Sequence, residues 1–327
     1  MSTSSPRLGP LSRPAESVGF AMIAHMTPPF SSTVPGAPAP SALPTPVLTV
    51  ADLDATRNAG CRLEVPCGEG VMVWHCWGEG RPVVLLHGGS GSWTHWVRNI
   101  ASLVAQGRQV WIPDLPGFGD SARPPGGGDA DSVPEPLEAA LTTLLGDAAV
   151  DLVGFSFGGM VGGLLAARKP ERVRRLVLVG APALGIGPER RYVLRPWSHL
   201  TPGDEEFDRV QRANLATLML ANPDLIDNLA LAIQAMNLPR DRMKMRRISR
   251  TDILKRSLAQ VRCPVFGIWG AEDVLYKGVR EQLEPALREA PSFQWLRWIP
   301  QAGHWVQYEA PTAFDLALRE ALQSAEA

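Results

Sequence analysis

Gly154-Phe155-Ser156-Phe157-Gly158-Gly159 follows the apolar run Ala149-Val150-Asp151-Leu152-Val153 and precedes a small-residue helical run from Met160 to Arg168. A serine at a sharp strand-to-helix turn has its hydroxyl pushed clear of the sheet. Flanking glycines tolerate the strained backbone and the close packing of such a turn. A weak nucleophile is presented to a carbonyl carbon in this way. The G-x-S-x-G pattern alone arises by chance, so the strand–turn–helix context carries the reading.

A nucleophilic serine needs a base, and the base needs an orienting acid. Past Ser156 the chain has two histidines, His199 and His304. His199 lies in the polar stretch Trp197-Ser198-His199-Leu200-Thr201-Pro202, with no strand before it. His304 follows the strand-like run Phe293–Ile299 and the loop signal Pro300-Gln301-Ala302-Gly303, and is the candidate base. Cys263-Pro264-Val265-Phe266-Gly267-Ile268-Trp269 has a buried-strand pattern, and Gly270-Ala271-Glu272-Asp273 follows it. Asp273 is the candidate acid, with Glu272 its neighbouring competitor. The apolar strand Pro82–Leu86 runs into His87-Gly88-Gly89-Ser90-Gly91. Glycines there let backbone N–H groups approach a developing negative charge. The N–H groups of Phe157 and Gly89 are the expected oxyanion donors, with Ser90 replacing Gly89 if the loop is displaced by one residue.

From about Arg62 to Ala321 the chain resembles the α/β-hydrolase superfamily. The matching motifs, in order, are His87-Gly88-Gly89, Asp114-Leu115-Pro116-Gly117-Phe118-Gly119-Asp120-Ser121, the Ser156 turn, and the Asp273 and His304 loops. The resemblance implies a mostly parallel sheet with helices on both faces and a helical cap inserted after the sixth core strand. His87-Gly88-Gly89 and Gly303-His304-Trp305-Val306-Gln307-Tyr308-Glu309 also resemble the meta-cleavage-product hydrolases, which cut carbon–carbon bonds in ring-fission products. That subfamily commonly has Asn where this chain has Phe155, and Asn in the region of His95. Its cap arginine has no clear counterpart: Asn228–Gln234 contains none. Carboxylic ester hydrolysis therefore ranks first, and carbon–carbon hydrolysis second. An acyltransferase or perhydrolase, and an inactive binding module, remain as further readings.

The elements that must position these residues alternate along the chain. Arg62–Val65 and Val71–Trp77 read as an opening hairpin. The strand ending at Leu86 follows, then a helix over Thr94–Ala105, a strand at Gln109–Ile112, a helix over Glu135–Leu145 and a strand at Arg174–Val179. Alternating strands and helices imply a parallel sheet, with ligands bound beyond the strands' carboxyl ends. The core is assigned to residues 51–181 and 261–327, and the cap to residues 182–260. Expected cap helices are Glu205–Leu220, Asp224–Met236 and Asp252–Gln260. Residues 1–50 are rich in proline and serine and read as a disordered tail.

Other residues have plainer readings. Asp114 and Asp120 are assigned to turns and caps beside Pro113, Pro116, Gly117 and Gly119. His87 is expected to fix its loop. Phe155, His95 and Trp305 are the candidate substrate-binding side chains, with a helix-face position open for His95 and a core position for Trp305. The run Arg240–Arg250 is either a cationic face steering an anionic substrate or a solvated helix surface, and the latter is preferred. A formal net charge of −1 gives no bulk attraction to nucleic acid or acidic membranes. No apolar stretch reaches the roughly 18 residues that suggest a membrane span. The four cysteines lack metal-type paired spacing, and free thiols in a cytoplasmic protein are preferred over a Cys61–Cys67 bridge. No metal or cofactor is expected. The expected partner is a small-molecule substrate, and a homo-oligomer is left open.

Overall fold

The computed structural model describes residues 48–126, 129–186, 192–243 and 245–324. The tail expected over residues 1–50 falls outside the described residues as far as position 47. From Thr49 the chain is already organised. The Thr49 backbone N–H and hydroxyl both donate to Asp52, closing a capping box on α1 (Val50–Asn58).

The eight strands are β1 (Cys61–Cys67), β2 (Gly70–Trp77), β3 (Arg81–Leu86), β4 (Arg108–Pro113), β5 (Val150–Phe155), β6 (Val173–Val179), β7 (Val265–Gly270) and β8 (Phe293–Ile299). They form one sheet in the order β1-β2-β4-β3-β5-β6-β7-β8. β1 and β2 form an antiparallel hairpin, β2 meets β4 antiparallel, and every other pairing is parallel. Side chains alternate across the sheet, so Val84 and Leu86 enter one apolar layer while Val83 and Leu85 enter the other. Both layers are covered, as a parallel sheet requires.

The helices between these strands are α2 (Ile100–Ala105), α3 (Pro134–Leu145), α4 (Phe157–Arg168), α5 (Glu205–Leu218), α6 (Asn228–Asn237), α7 (Ile253–Leu258) and α8 (Leu283–Leu287). After β8 come α9 (Val306–Glu309) and α10 (Pro311–Gln323). α3, α4, α7 and α8 contribute to the first layer, and α2 and α10 to the second. The chain leaves β3 for β4 on one side and returns to β5 on the other. The carboxyl ends of β3 and β5 are therefore the point where connections diverge, which opens a crevice. The helical insertion carrying α5, α6 and α7 lies between β6 and β7.

Two expected helices are broken. Thr94–Ala105 divides into a 3₁₀ turn, Trp93–Trp96, and α2. Ser92 caps the turn through Thr94 N–H, and the His95 carbonyl accepts from the Trp305 indole. Asp224–Met236 divides into a 3₁₀ turn at Pro223–Leu225 and α6. Asp227 caps α6 through Ala230 N–H at 2.9 Å. The same carboxylate also binds Arg98 at 2.6 Å and the Tyr308 hydroxyl at 2.6 Å, which fixes where the helix begins.

At the opposite end of the sheet, Asp151 is fully buried on β5. Its carboxylate accepts from Arg108 at 2.7 Å, Arg174 at 3.0 Å and Arg175 at 3.3 Å. Arg108 also donates to the Leu322 carbonyl, and Arg175 to that of Ser324, tying the end of α10 to the sheet. Removing one partner from a buried ionic cluster leaves uncompensated charge. Asp151→Ala should lower unfolding free energy by about 3–5 kcal/mol in urea titrations. A change below about 1 kcal/mol would contradict the assigned anchoring role.

Candidate active site

Ser156 sits at the junction of β5 and α4 with φ 49° and ψ −116°. A positive φ is strained for a residue with a side chain, so its surroundings must enforce it. Neighbouring glycines allow the fit. A Cβ at Gly154 would lie 2.5 Å from the Gly158 carbonyl oxygen, and one at Gly158 would lie 2.5 Å from that of Leu86. The helix is thus drawn against β3 and β5. The Ser156 N–H donates to the Val179 carbonyl at 2.7 Å, locking the turn to β6.

His304 Nε2 lies 2.9 Å from Ser156 Oγ, and its Nδ1 lies 2.8 Å from Asp273 Oδ2. The other oxygen of Asp273 accepts from Leu275 N–H at 2.9 Å. Asp273 is 2% exposed, whereas Glu272 faces solvent, which separates the two competitors. With the Asp273 carboxylate accepting from Nδ1–H, Nε2 is left to accept from the serine hydroxyl. The structure therefore joins Ser156, His304 and Asp273 in one hydrogen-bonded chain from three separate loops. Phe155 packs edge-on to His95 at 5.6 Å and tilted against His304 at 5.1 Å between ring centroids.

The His304 loop is also clamped to the insertion. Glu309 accepts from Gly303 N–H at 2.6 Å, Asn222 N–H at 2.7 Å and Ala221 N–H at 3.0 Å. The Trp305 N–H donates to the Met219 carbonyl at 2.8 Å. Sequence reading gave Glu309 no role. Its signal was weak, because an acid at a short helix's end resembles any solvated residue.

Gly89 and Phe157 are the two residues expected to supply oxyanion donors. Phe157 opens α4, so its N–H belongs to the first turn, which lacks intrahelical acceptors. Both residues line a cleft of about 790 Å³ together with Phe155, Ser156 and His304. That volume falls within the range of small-molecule sites. Trp305 is corrected here: it is fully buried, stacks on Tyr308 with ring centroids 4.1 Å apart, and does not line the cleft. Its indole N–H instead holds the His95 carbonyl at 3.1 Å. His95 lines an adjoining chamber of about 370 Å³. Its Nδ1 accepts from Gly88 N–H at 3.2 Å. Burial, followed by the nearby His87 and His304, pushes its pKa well below the ordinary value, so the ring is neutral.

The Arg240–Arg250 run departs from the preferred surface-helix reading. Its described residues form loop and 3₁₀ structure, and Arg246, Arg247 and Arg250 line the cleft. Arg246 pairs with Asp241 and lies over the Phe118 ring at 5.0 Å. Asp241 also accepts from the Ser90 hydroxyl at 2.5 Å, which couples the insertion to the glycine loop. An acid among basic residues was the available signal. Lys244 lies outside the described residues. Asp114 holds Trp93 N–H and Asp120 N–H, each at 2.9 Å, and Asp120 pairs on the surface with Arg240. Among the described residues, no cluster of three or more His, Cys, Asp or Glu side chains suits a metal ion. Their cysteines are free, and none of their helices is long and apolar enough to cross a membrane.

Residues 81–311 match the family described as alpha/beta hydrolase fold, and the chain belongs to it. Among curated relatives, it is 30% identical over 247 residues to the dihydrolipoyllysine-residue acetyltransferase component of the acetoin cleaving system of Pseudomonas putida. That match covers 71% of this chain but only 60% of the relative, under two thirds of its length. The chain is 27% identical over 264 residues to a 2-hydroxy-6-oxo-6-phenylhexa-2,4-dienoate hydrolase of Burkholderia cepacia, covering 73% of this chain and 86% of that one. A thermophilic esterase structure from Thermogutta terrifontis superposes with a TM-score of 0.63 at 24% identity, covering 80% of this chain and 98% of that one. This last likeness shows the shared fold.

His87 provides a pH-dependent test of the glycine loop. Its Nδ1–H donates to the Gly88 carbonyl at 2.7 Å while Nε2 accepts from Leu115 N–H at 2.8 Å, an arrangement that needs the neutral ring. Burial pushes its pKa down to about 4. The unfolded chain therefore binds a proton near pH 6.5 that the folded chain refuses until about pH 4. This stability is intact above pH 6.5 and is lost as pH falls towards 4. Between pH 7 and pH 5, urea titrations should show a loss of roughly 2 kcal/mol through His87. His87→Gln should flatten that dependence, and an unchanged slope would contradict the assignment.

Proposed function

We propose that this protein is a carboxylic ester hydrolase acting through an acyl-enzyme at Ser156. The observation supporting the reading is the hydrogen-bonded chain from Ser156 through His304 to Asp273. Ser156 Oγ attacks the ester carbonyl as His304 Nε2 takes its proton. Asp273 orients the ring and stabilises the imidazolium. The N–H groups of Gly89 and Phe157 hold the oxyanion. Collapse breaks the acyl–oxygen bond, and His304 returns the proton to the departing alcohol. Water then attacks the acyl-enzyme by the reverse proton path, releasing the acid and restoring Ser156.

Carbon–carbon hydrolysis of ring-fission products is the second reading. Similarity to dienoate hydrolases and the arginines lining the cleft favour it. Against it stands Phe155, which offers no polar group where a delocalised dienolate needs one. A neutral imidazole at His95 has one donor, where an amide has two. Ester hydrolysis makes neither demand.

On one preparation, kcat/KM for medium-sized esters should exceed that for any ring-fission dienoate by at least about tenfold, or roughly 1.4 kcal/mol in transition-state binding. Faster dienoate turnover would reverse the order of the two readings. Asp273→Asn should cost on the order of a thousandfold or more in rate, with Glu272→Gln near wild type. The opposite pattern would move the acid by one residue.

A further inference from the structure

Residues 218–222 stand between the cleft and the His304 loop. Leu218 and Met219 line the cleft that also holds Ser156 and His304. Met219, Ala221 and Asn222 turn backbone groups towards the loop. The approach is close. A Cβ at Gly303 would lie 2.7 Å from the Ala221 nitrogen and 3.0 Å from the Met219 carbonyl oxygen. On the core side, a Cβ at Gly270 would collide with the Gly303 carbonyl oxygen. The residue before His304 is thus held between β7 and the insertion.

Glu309, 7% exposed, fastens the insertion side. One carboxylate oxygen accepts from Gly303 N–H and Ala221 N–H, and the other from Asn222 N–H. All three partners are donors, so both oxygens must accept, which a carboxylate does and an amide does not. On the other side of His304, Trp305 N–H donates to the Met219 carbonyl. Both chain neighbours of His304 are therefore tied to one short segment of the pocket wall. Asp273 already orients the imidazole through Nδ1. Glu309 adds a second constraint, and this one comes from residues that a bound ligand would touch.

We propose that Glu309 is a positioning residue that carries occupancy of the cleft to His304. A ligand packed on Leu218 and Met219 restrains residues 219–222. Glu309 and the Met219 carbonyl pass that restraint to Gly303 and Trp305, and so to His304 between them. Binding energy gained away from the reacting bond is used to align His304 with Ser156. The preferred substrate then carries an apolar arm long enough to reach Leu218 and Met219. Such a substrate reacts faster once bound and does not merely bind more tightly. This role rests on the proposed reactivity of Ser156 and His304.

The test uses butane-1-sulfonyl fluoride and octane-1-sulfonyl fluoride, each with a single arm. Ser156 Oγ attacks sulfur, an S–O bond forms, the S–F bond breaks with loss of fluoride, and His304 takes the serine proton. Labelling of Ser156, followed by peptide mass analysis, gives a limiting rate and a half-saturating concentration for each reagent. In the wild type the octane reagent should have a limiting rate at least about fivefold above that of the butane reagent. Glu309→Gln sets an amide N–H against a backbone donor. It should bring the two limiting rates within about twofold of each other, while the octane reagent still saturates at lower concentration. Leu218→Ala, which shortens a half-buried side chain, should also reduce the wild-type difference. Adding it to Glu309→Gln should change the limiting rates little. Melting curves establish that each variant is folded. Should Glu309→Gln not fold, Glu309→Asp, one methylene short of the three donors, takes its place with the same expectation. Equal limiting rates in the wild type would overturn the proposal. So would a difference that survives the Glu309 substitution with both reagents slowed alike, which marks a general structural role. An unlabelled wild type would overturn it together with the roles of Ser156 and His304. Absence of ester turnover with the predicted labelling pattern intact would count against the esterase reading alone.

Discussion

The positive φ of Ser156 is the constraint on which the site depends. A serine in an ordinary helical or extended conformation would not be held clear of the sheet with its Oγ 2.9 Å from His304 Nε2. The strain is maintained by neighbours that leave no alternative. Gly158 packs under the Leu86 carbonyl, Gly154 packs against Gly158 and Gly159, and the Ser156 N–H is held by Val179. Side chains on these glycines would push α4 away from the sheet and relax the turn. The same approach brings Phe157, the first residue of α4, to the cleft that Gly89 also lines. One packing relation thus serves both Ser156 and Phe157.

The other residues of the site depend on loops fixed by buried carboxylates and histidines. Asp114 and His87 hold the glycine loop and its neighbours through backbone N–H groups. Glu309 joins the His304 loop to the residues just after α5. The insertion is therefore connected to the His304 loop as well as lining the cleft beside Ser156. Displacement of α5 would be felt at His304, linking the pocket's shape to the alignment of His304 with Ser156.

Parts of this arrangement were legible in the chain. Ser156, His304 and Asp273 each follow a buried-strand pattern and a loop signal, so their placement at strand ends could be inferred from local sequence. The hairpin and the parallel core were legible for the same reason. Other features depend on tertiary partners. Trp305 is adjacent to His304, yet its indole is drawn inward to His95 and Tyr308. The break after Trp96 reflects Ser92, Asp114 and Trp305 acting together, which a helical periodicity cannot reveal. Arg246 looked like one of several surface cations, and only folding brings it to Asp241 and Phe118.

The most direct measurement of the central claim is covalent labelling by a fluorophosphonate followed by peptide mass analysis. Attack by Ser156 Oγ on phosphorus would expel fluoride and leave a phosphonyl ester on that residue. The account predicts near-stoichiometric modification of the peptide containing Ser156, strongly slowed in His304→Ala because the base is gone. No label on the folded protein, or stable label on a different serine with Ser156 unmodified, would contradict it.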